Sequence, residues 1–154
     1  MSKINFIAEY LSDESLDKIA GLISDVEKKT SGEIRLCIKK KRGFFEKKHT
    51  PREIALKEFT KLGMHKTGEK TGVLMFIIFN ERKFEIVADE GINSKISDDH
   101  WSLISEKIKN HFVNKDFFEG IKTGILDISQ TLIQEFPLKD DDRDELPNTV
   151  IVKP

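Results

Sequence analysis

Apolar residues along this chain fall into two patterns that alternate. One is a helical stripe with a period near 3.6, and the other is a short strand-like run. Residues 73–79, VLMFIIF, form an unbroken apolar run rich in β-branched and aromatic side chains. It is too short for a lone helix and predicts a strand buried on both faces. Asn80-Glu81-Arg82 is polar and turn-compatible. Phe84, Ile86 and Ala88 then alternate with Glu85, Val87 and Asp89, the period of a strand covered on one face. Together these runs predict a β-hairpin at the centre of a sheet. Upstream, Ile34, Leu36 and Ile38 point one way and Glu33, Arg35 and Cys37 the other, which predicts an earlier strand.

The helical stripes lie between and after these runs. Ser12-Asp13-Glu14-Ser15 opens the first, with acids where the helix dipole favours them. Leu16, Ile19, Ala20, Ile23 and Val26 form its apolar face, Lys28 and Lys29 suit its last turn, and Gly32 is expected to end it in the left-handed conformation. Thr50-Pro51-Arg52-Glu53 combines a cap, a first-turn proline and a capping-box glutamate. Ile54, Ala55, Phe59 and Leu62 follow as the stripe, and Gly63 as the stop. A third helix starts at Ser97 and carries Trp101, Ile104, Ile108 and Phe112. A fourth starts at Asp116 with Glu119, carries Ile121, Ile125, Ile128, Leu132 and Phe136, and stops at Pro137. Gly120 and Gly124, four apart, predict close approach to a neighbouring element.

A strand–helix–strand unit of this length implies a right-handed crossover between parallel strands. The predicted fold is therefore α/β: a three-layer α/β/α sandwich whose mixed sheet is built on a β-α-β crossover plus a β-hairpin, with two C-terminal helices packed on it. Residues 1–138 are expected to form a single domain. Residues 139–154 are expected to form an acidic, partly mobile tail, and residues 150–152 are extended in character and able to dock on a sheet edge.

Composition narrows the class. The chain has 154 residues, enough for one domain with a real core, and a net charge of −1. That balance argues against a dedicated nucleic-acid binder. No apolar run can span a bilayer, and residues 1–6 lack the features of a signal peptide. A single cysteine, Cys37, excludes an internal disulfide and reads as a small strand residue. These features predict a soluble, cytoplasmic protein, expected to be a monomer. Residues 39–49, KKKRGFFEKKH, are the most basic stretch. They suit either a phosphate- or membrane-seeking loop with Phe44 and Phe45 as inserting groups, or a mobile, solvated loop whose two aromatics fold back on the core. The second is preferred, because no other basic stripe supports the first.

Candidate chemistry follows from the strand directions. The starts of the first and second strands and the end of the third share one rim. Glu33, Thr71, Asp89 and Glu90 collect there, and the next loop delivers Asn93, Ser97, Asp98 and Asp99. Carboxylates and an amide on a loop are oxygen ligands suited to calcium or magnesium. Asp89, Asp98, Asp99, Glu33 and Glu90 are the candidate metal ligands. Asp98 and Asp99 read equally well as acids serving a helix start. His49, His65, His100 and His111 are scattered, and no nucleophile elbow, P-loop or dinucleotide fingerprint is present. Any catalysis would come from carboxylates with a metal, Asp98 or Asp99 being the base candidates.

Several blocks together carry a resemblance. Residues 22–36 (LISDVEKKTSGEIRL), the helix ending with Ala55, Phe59 and Leu62-Gly63-Met64, residues 70–77 (KTGVLMFI), residues 82–92 (RKFEIVADEGI) and residues 112–125 (FVNKDFFEGIKTGI) resemble the TPM-domain family. That family includes thylakoid-lumen acid phosphatases of plants and many bacterial proteins. The DELPN tail, residues 144–148, resembles the end of a short soluble branch. The resemblance implies an α/β/α sandwich, divalent cations near the acidic rim and, in the plant members, phosphatase activity. Asp89 falls where the family has an acid after its third strand, and Glu33 falls in its TG-x-E-I-like segment, written here Ser31-Gly32-Glu33-Ile34. The glycine common before that acid is Ala88 here. Three readings follow. The first is a calcium- or magnesium-binding domain that acts through binding, in envelope or stress maintenance. The others are a metal-dependent acid phosphatase and a protein-interaction module without metal. The rim as read is mostly acidic, with Lys70 and Lys95 its obvious cations, which favours binding over hydrolysis.

Overall fold

The computed structural model describes residues 8–66, 70–138 and 150–154. The start of the acidic tail and its DELPN stretch lie outside the described residues. Four helices, α1 (Asp13–Glu27), α2 (Pro51–Lys61), α4 (Asp98–Val113) and α5 (Phe117–Glu135), surround strands β1 (Glu33–Lys39), β2 (Gly72–Ile78), β3 (Lys83–Ala88) and β4 (Ile151–Lys153), with a single-turn α3 (Glu90–Asn93) after β3. The sheet order is β3-β2-β1-β4. β1 runs parallel to β2 and to β4, and β3 returns antiparallel to β2. The predicted crossover is therefore present with α2 as its helix, and so is the hairpin.

Two apolar layers hold this arrangement. Ile34, Leu36 and Ile38 of β1 and Val73, Met75 and Ile77 of β2 pack against α1, α4 and α5. On the other face Cys37, Leu74, Phe76, Ile78 and Val87 meet Ile54, Ala55 and Phe59 of α2. Covering both faces of β2 is what made its sequence unbroken in apolar character. The single helix on the second face leaves room for charge at its margin. Glu58 of α2 is 2 % exposed and accepts a hydrogen bond from Lys153 Nζ of β4 at 2.5 Å.

The N-caps read from sequence for α1, α2 and α4 are in place. The Ser12 and Ser97 hydroxyls accept from the amides of Ser15 and His100 at 3.0 and 3.2 Å. Thr50 and Glu53 form a reciprocal capping box, and Gly63, at φ +74°, ends α2. Gly120 and Gly124 do let α5 approach its neighbours: an added Cβ would lie 2.6 Å from the Phe112 ring at Gly120 and 2.8 Å from Ile108 at Gly124.

Two expectations are corrected. Gly32 does not end α1, which stops at Glu27 with Lys28 as its C-cap. Gly32 instead packs closely on α5, where an added Cβ would lie 3.0 Å from the Leu132 side chain. β1 is buried along its whole length, because α1 and α2 flank the sheet and β4 covers its edge. The second correction concerns residues 39–49. Phe44 and Phe45 do not fold back on the core but are 79 and 88 % exposed. The loop is also not loosely held. Glu46 accepts from Lys39 Nζ and, at 2.7 Å, from the Gly43 amide. Arg42 forks onto Glu81 with hydrogen bonds of 2.8 and 2.6 Å and donates to the His49 carbonyl at 2.7 Å.

These clamps predict an acid response. Partial burial raises the Glu46 pKa, but the Lys39 and Gly43 donors outweigh it and hold the carboxyl below its ordinary value. The Arg42 guanidinium does the same for Glu81. A carboxylate depressed in the folded state contributes stability above its unfolded pKa of about 4.3, and that contribution is lost as pH falls through the folded value. Carboxyl-carbon NMR titration of Glu46 and Glu81 is expected to give midpoints below about 4.3, with loop amide shifts moving in step. Midpoints at or above that value would mean the clamps do not form in solution.

Candidate divalent-cation site

The candidate rim is the end of the sheet where β1 and β2 begin and β3 ends. Glu33 pairs with Gly72 and Ala88 pairs with Val73, so Glu33, Gly72 and Asp89 fall in one row across three strands. At about 4.8 Å per strand this places the Glu33 and Asp89 Cα atoms about 10 Å apart. The Asp89 amide donates to the Gly72 carbonyl at 3.0 Å and continues the ladder one step beyond β3.

Asp89 then starts α3. Its Oδ1 accepts from the Glu90 amide at 2.8 Å, while its Oδ2 is buried and has no hydrogen-bond partner. An acceptor-only oxygen withdrawn from water without a donor is costly, and a cation would satisfy it. Asn93, one turn on, spends its side-chain amide on the Ala88 carbonyl at 2.7 Å, which leaves its carbonyl oxygen for a ligand.

The other candidates are placed differently. Glu90 is exposed and bonded to Lys70 at 2.8 Å, and this hydrogen bond holds its carboxyl below the ordinary glutamate value. Lys70 also ties the chain down through its backbone, its carbonyl accepting from the Gly91 amide at 3.0 Å. Glu33 is 3 % exposed. Burial pulls the Arg35 guanidinium's pKa down, and the charges of Glu27 and Glu33 oppose that pull. Glu33 thus belongs to the buried field of Arg35. Asp98 borders a polar cleft of about 630 Å³ between β3 and α4, shared with Arg52, Glu85, Asn93 and Trp101. Asp99 is an exposed first-turn acid of α4.

The structure therefore brings together Asp89, Glu90 and Asn93 at α3, places Asp98 in the cleft that Asn93 also lines, buries Glu33 on β1 and leaves Asp99 exposed in the first turn of α4. Among the described residues no three of His, Cys, Asp or Glu are arranged to hold a metal ion. Both cations read at the rim are engaged, Lys70 with Glu90 and Lys95 over the Phe136 ring at 4.8 Å from its centroid. Cys37 is inert, its thiol pushed up to about 12 chiefly by burial.

Sequence reasoning missed two features here. Asp89 is a helix cap, which the rule of an Asp before a helical turn could have found. The second is the cleft beside Asp98, where Arg52 reaches across from α2 to donate to the Ile86 carbonyl at 2.5 Å and lies 3.6 Å from Glu85. No local periodicity signals such a long-range pair.

A mixed four-stranded sheet with one helix on one face, three on the other and an acid-capped turn after its hairpin defines an α/β domain with a polar sheet end. The TPM domain matches residues 4–131, and the chain belongs to that family. The solved structure of BA42 from the psychrophilic bacterium Bizionia argentinensis is similar at 36 % identity, with 99 % of each chain covered and a TM-score of 0.84. The N-terminal domain of a protein from P. gingivalis shares the fold at 18 % identity, covering 84 % of this chain and 80 % of that one, with a TM-score of 0.68. The N-terminal domain of cg2496 from Corynebacterium glutamicum does so at 11 % identity, covering 89 and 86 %, with a TM-score of 0.61. No curated protein matches the chain. Among the described residues no helix is long and apolar enough to cross a membrane.

Proposed function

We propose that the domain binds a divalent cation, calcium or magnesium, at the start of α3 and acts through that binding. The observation that carries this reading is the Asp89 carboxylate, with one oxygen spent on the α3 cap and the other buried without a donor. Asp89 is the anionic ligand, the Asn93 carbonyl is the second oxygen, and water completes the shell, as is usual for magnesium at sites with few carboxylates. Glu90 is a reserve ligand that would have to leave Lys70. Glu33, Asp98 and Asp99 take no part in this reading.

Hydrolysis of phosphate esters by the same site is the competing reading, with Asp98 or Asp99 as base. Phosphoryl transfer needs cationic groups aimed at the phosphoryl oxygens. Lys70 is spent on Glu90 beside Asp89, Lys95 lies over the Phe136 ring, and Arg52 in the Asp98 cleft is held by Ile86 and Glu85. These engagements favour binding.

The test is a calcium and magnesium titration followed by backbone NMR. Shifts are expected to concentrate at residues 88–93 and to vanish in Asp89→Asn, a variant that keeps the helix cap because asparagine caps as well as aspartate. Saturable turnover of an aryl phosphate, dependent on metal and abolished by Asp89→Asn, would favour the phosphatase instead.

A further inference from the structure

Phe44 and Phe45 form the most exposed large apolar pair among the described residues, their rings in edge contact with centroids 5.3 Å apart. They sit on a short 3-10 turn, Phe44–Glu46, whose base is clamped by Lys39, Glu46, Arg42 and Glu81. A clamped turn that holds two aromatic rings in water departs from the usual burial of phenylalanine, and such patches mark interaction sites.

The surrounding charge says what kind of surface fits. Among the described residues the carboxylates near the turn each have a partner: Glu46 with Lys39, Glu81 with Arg42 and Glu58 with Lys153 in ion pairs, and Glu53 with His49 in a hydrogen bond. Among the described residues Lys40, Lys41, Lys48 and Lys57 make no ion pair, and Lys47 lies over the Phe44 ring at 5.9 Å. Among the described residues the tip is therefore two apolar rings flanked in the chain by lysines that make no ion pair. Exposed Leu56 on α2 extends the apolar part along a groove beside Lys57. Aromatic insertion flanked by lysines matches an anionic bilayer interface, where each cation gains from the surface potential and the rings enter the headgroup–acyl boundary.

We propose that this tip docks the domain on an anionic phospholipid membrane, with Phe44 and Phe45 inserted and Lys40, Lys41, Lys47 and Lys48 at the lipid phosphates. The tip leaves the end of β1 opposite to Glu33. Seven residues of strand separate it from the candidate cation site by about 20 Å, so the two can work at once.

The experiment is co-sedimentation with phosphatidylcholine vesicles, with and without phosphatidylserine, in EDTA so that no divalent cation bridges protein and lipid. The chain is expected to bind the phosphatidylserine vesicles, more weakly as salt rises. Phe44→Ser/Phe45→Ser is expected to weaken binding at least about tenfold. Replacing Lys40, Lys41, Lys47 and Lys48 by serine should also weaken it while leaving the melting temperature nearly unchanged. Phe45→Trp adds a reporter whose emission should shift to the blue on vesicle addition, beyond any change from Trp101. Failure to bind the anionic vesicles, binding unaffected by the double phenylalanine variant, or unmoved Phe45→Trp emission would each overturn the proposal. So would tip-dependent self-association or oligonucleotide binding in place of lipid binding. Because EDTA is present throughout, failure of the cation reading leaves these outcomes unchanged.

Discussion

Phe112→Ala is expected to lower the stability of the domain by about 3–5 kcal/mol, a fall of roughly 10 °C or more in melting temperature. Phe112 is 1 % exposed and its ring meets those of Phe84 and Phe117 at centroid distances of 5.5 and 5.3 Å. It fills the crossing of α4 and α5, where Gly120 leaves no room for a Cβ: that atom would lie 2.6 Å from Phe112 Cδ1 and Cε1. Gly120→Ala gains about 1 kcal/mol in helix propensity, and overpacking the boxed-in ring opposes it by about 1–3 kcal/mol. The net result in the native background is a loss. In the Phe112→Ala background the new methyl enters the vacated space, and Gly120→Ala is expected to turn neutral or stabilising. Chemical denaturation of the four proteins measures the coupling. An equal loss from Gly120→Ala in both backgrounds would show that the glycine serves something other than this contact.

The second large effect is at the edge of the sheet. Glu58 is 2 % exposed and depends on Lys153 at 2.5 Å, with Lys61 a distant second at 4.0 Å. Removing one partner of a buried pair typically costs about 3–5 kcal/mol because the other charge is stranded. The Lys153 side chain is 30 % exposed, so Lys153→Met is expected to cost less, about 2–3 kcal/mol. The loss should appear together with faster amide exchange at Ile151–Lys153, since β4 holds only three residues in register with β1. Glu58→Leu/Lys153→Met removes both charges and is expected to recover most of the loss. If the double variant is no more stable than Lys153→Met alone, the stranded carboxylate is not the cause.

How much of this was legible in the sequence varies by element. β2 and the starts of α1, α2 and α4 were, because an unbroken apolar run and a Thr-Pro-Arg-Glu start each have one economical reading. The pairing of β4 with β1 was legible only as a possibility, since three residues carry no periodicity. The exposure of Phe44 and Phe45 was not. Local pattern places aromatics inside, and the clamp that holds them out joins Arg42 to Glu81, a pair far apart in the chain. The carboxylates of the rim were read from strand direction, which was right. Strand direction does not report which partner each acid takes. Lys70 takes Glu90, Glu33 is buried on β1, and Asp89 keeps an oxygen unspent. The family was legible in ordered blocks spread over most of the chain, and the match over residues 4–131 bears it out.

The cation site is the central claim, and manganese tests it most directly. Mn²⁺ can stand in for magnesium at oxygen ligands and broadens the NMR signals of the amides nearest to it. At substoichiometric Mn²⁺ the amides of Asp89 to Asn93 are expected to broaden first and to recover on addition of excess magnesium, and Asp89→Asn should abolish both effects. Broadening that begins instead in the acidic residues 140–145 and persists in Asp89→Asn would contradict the account.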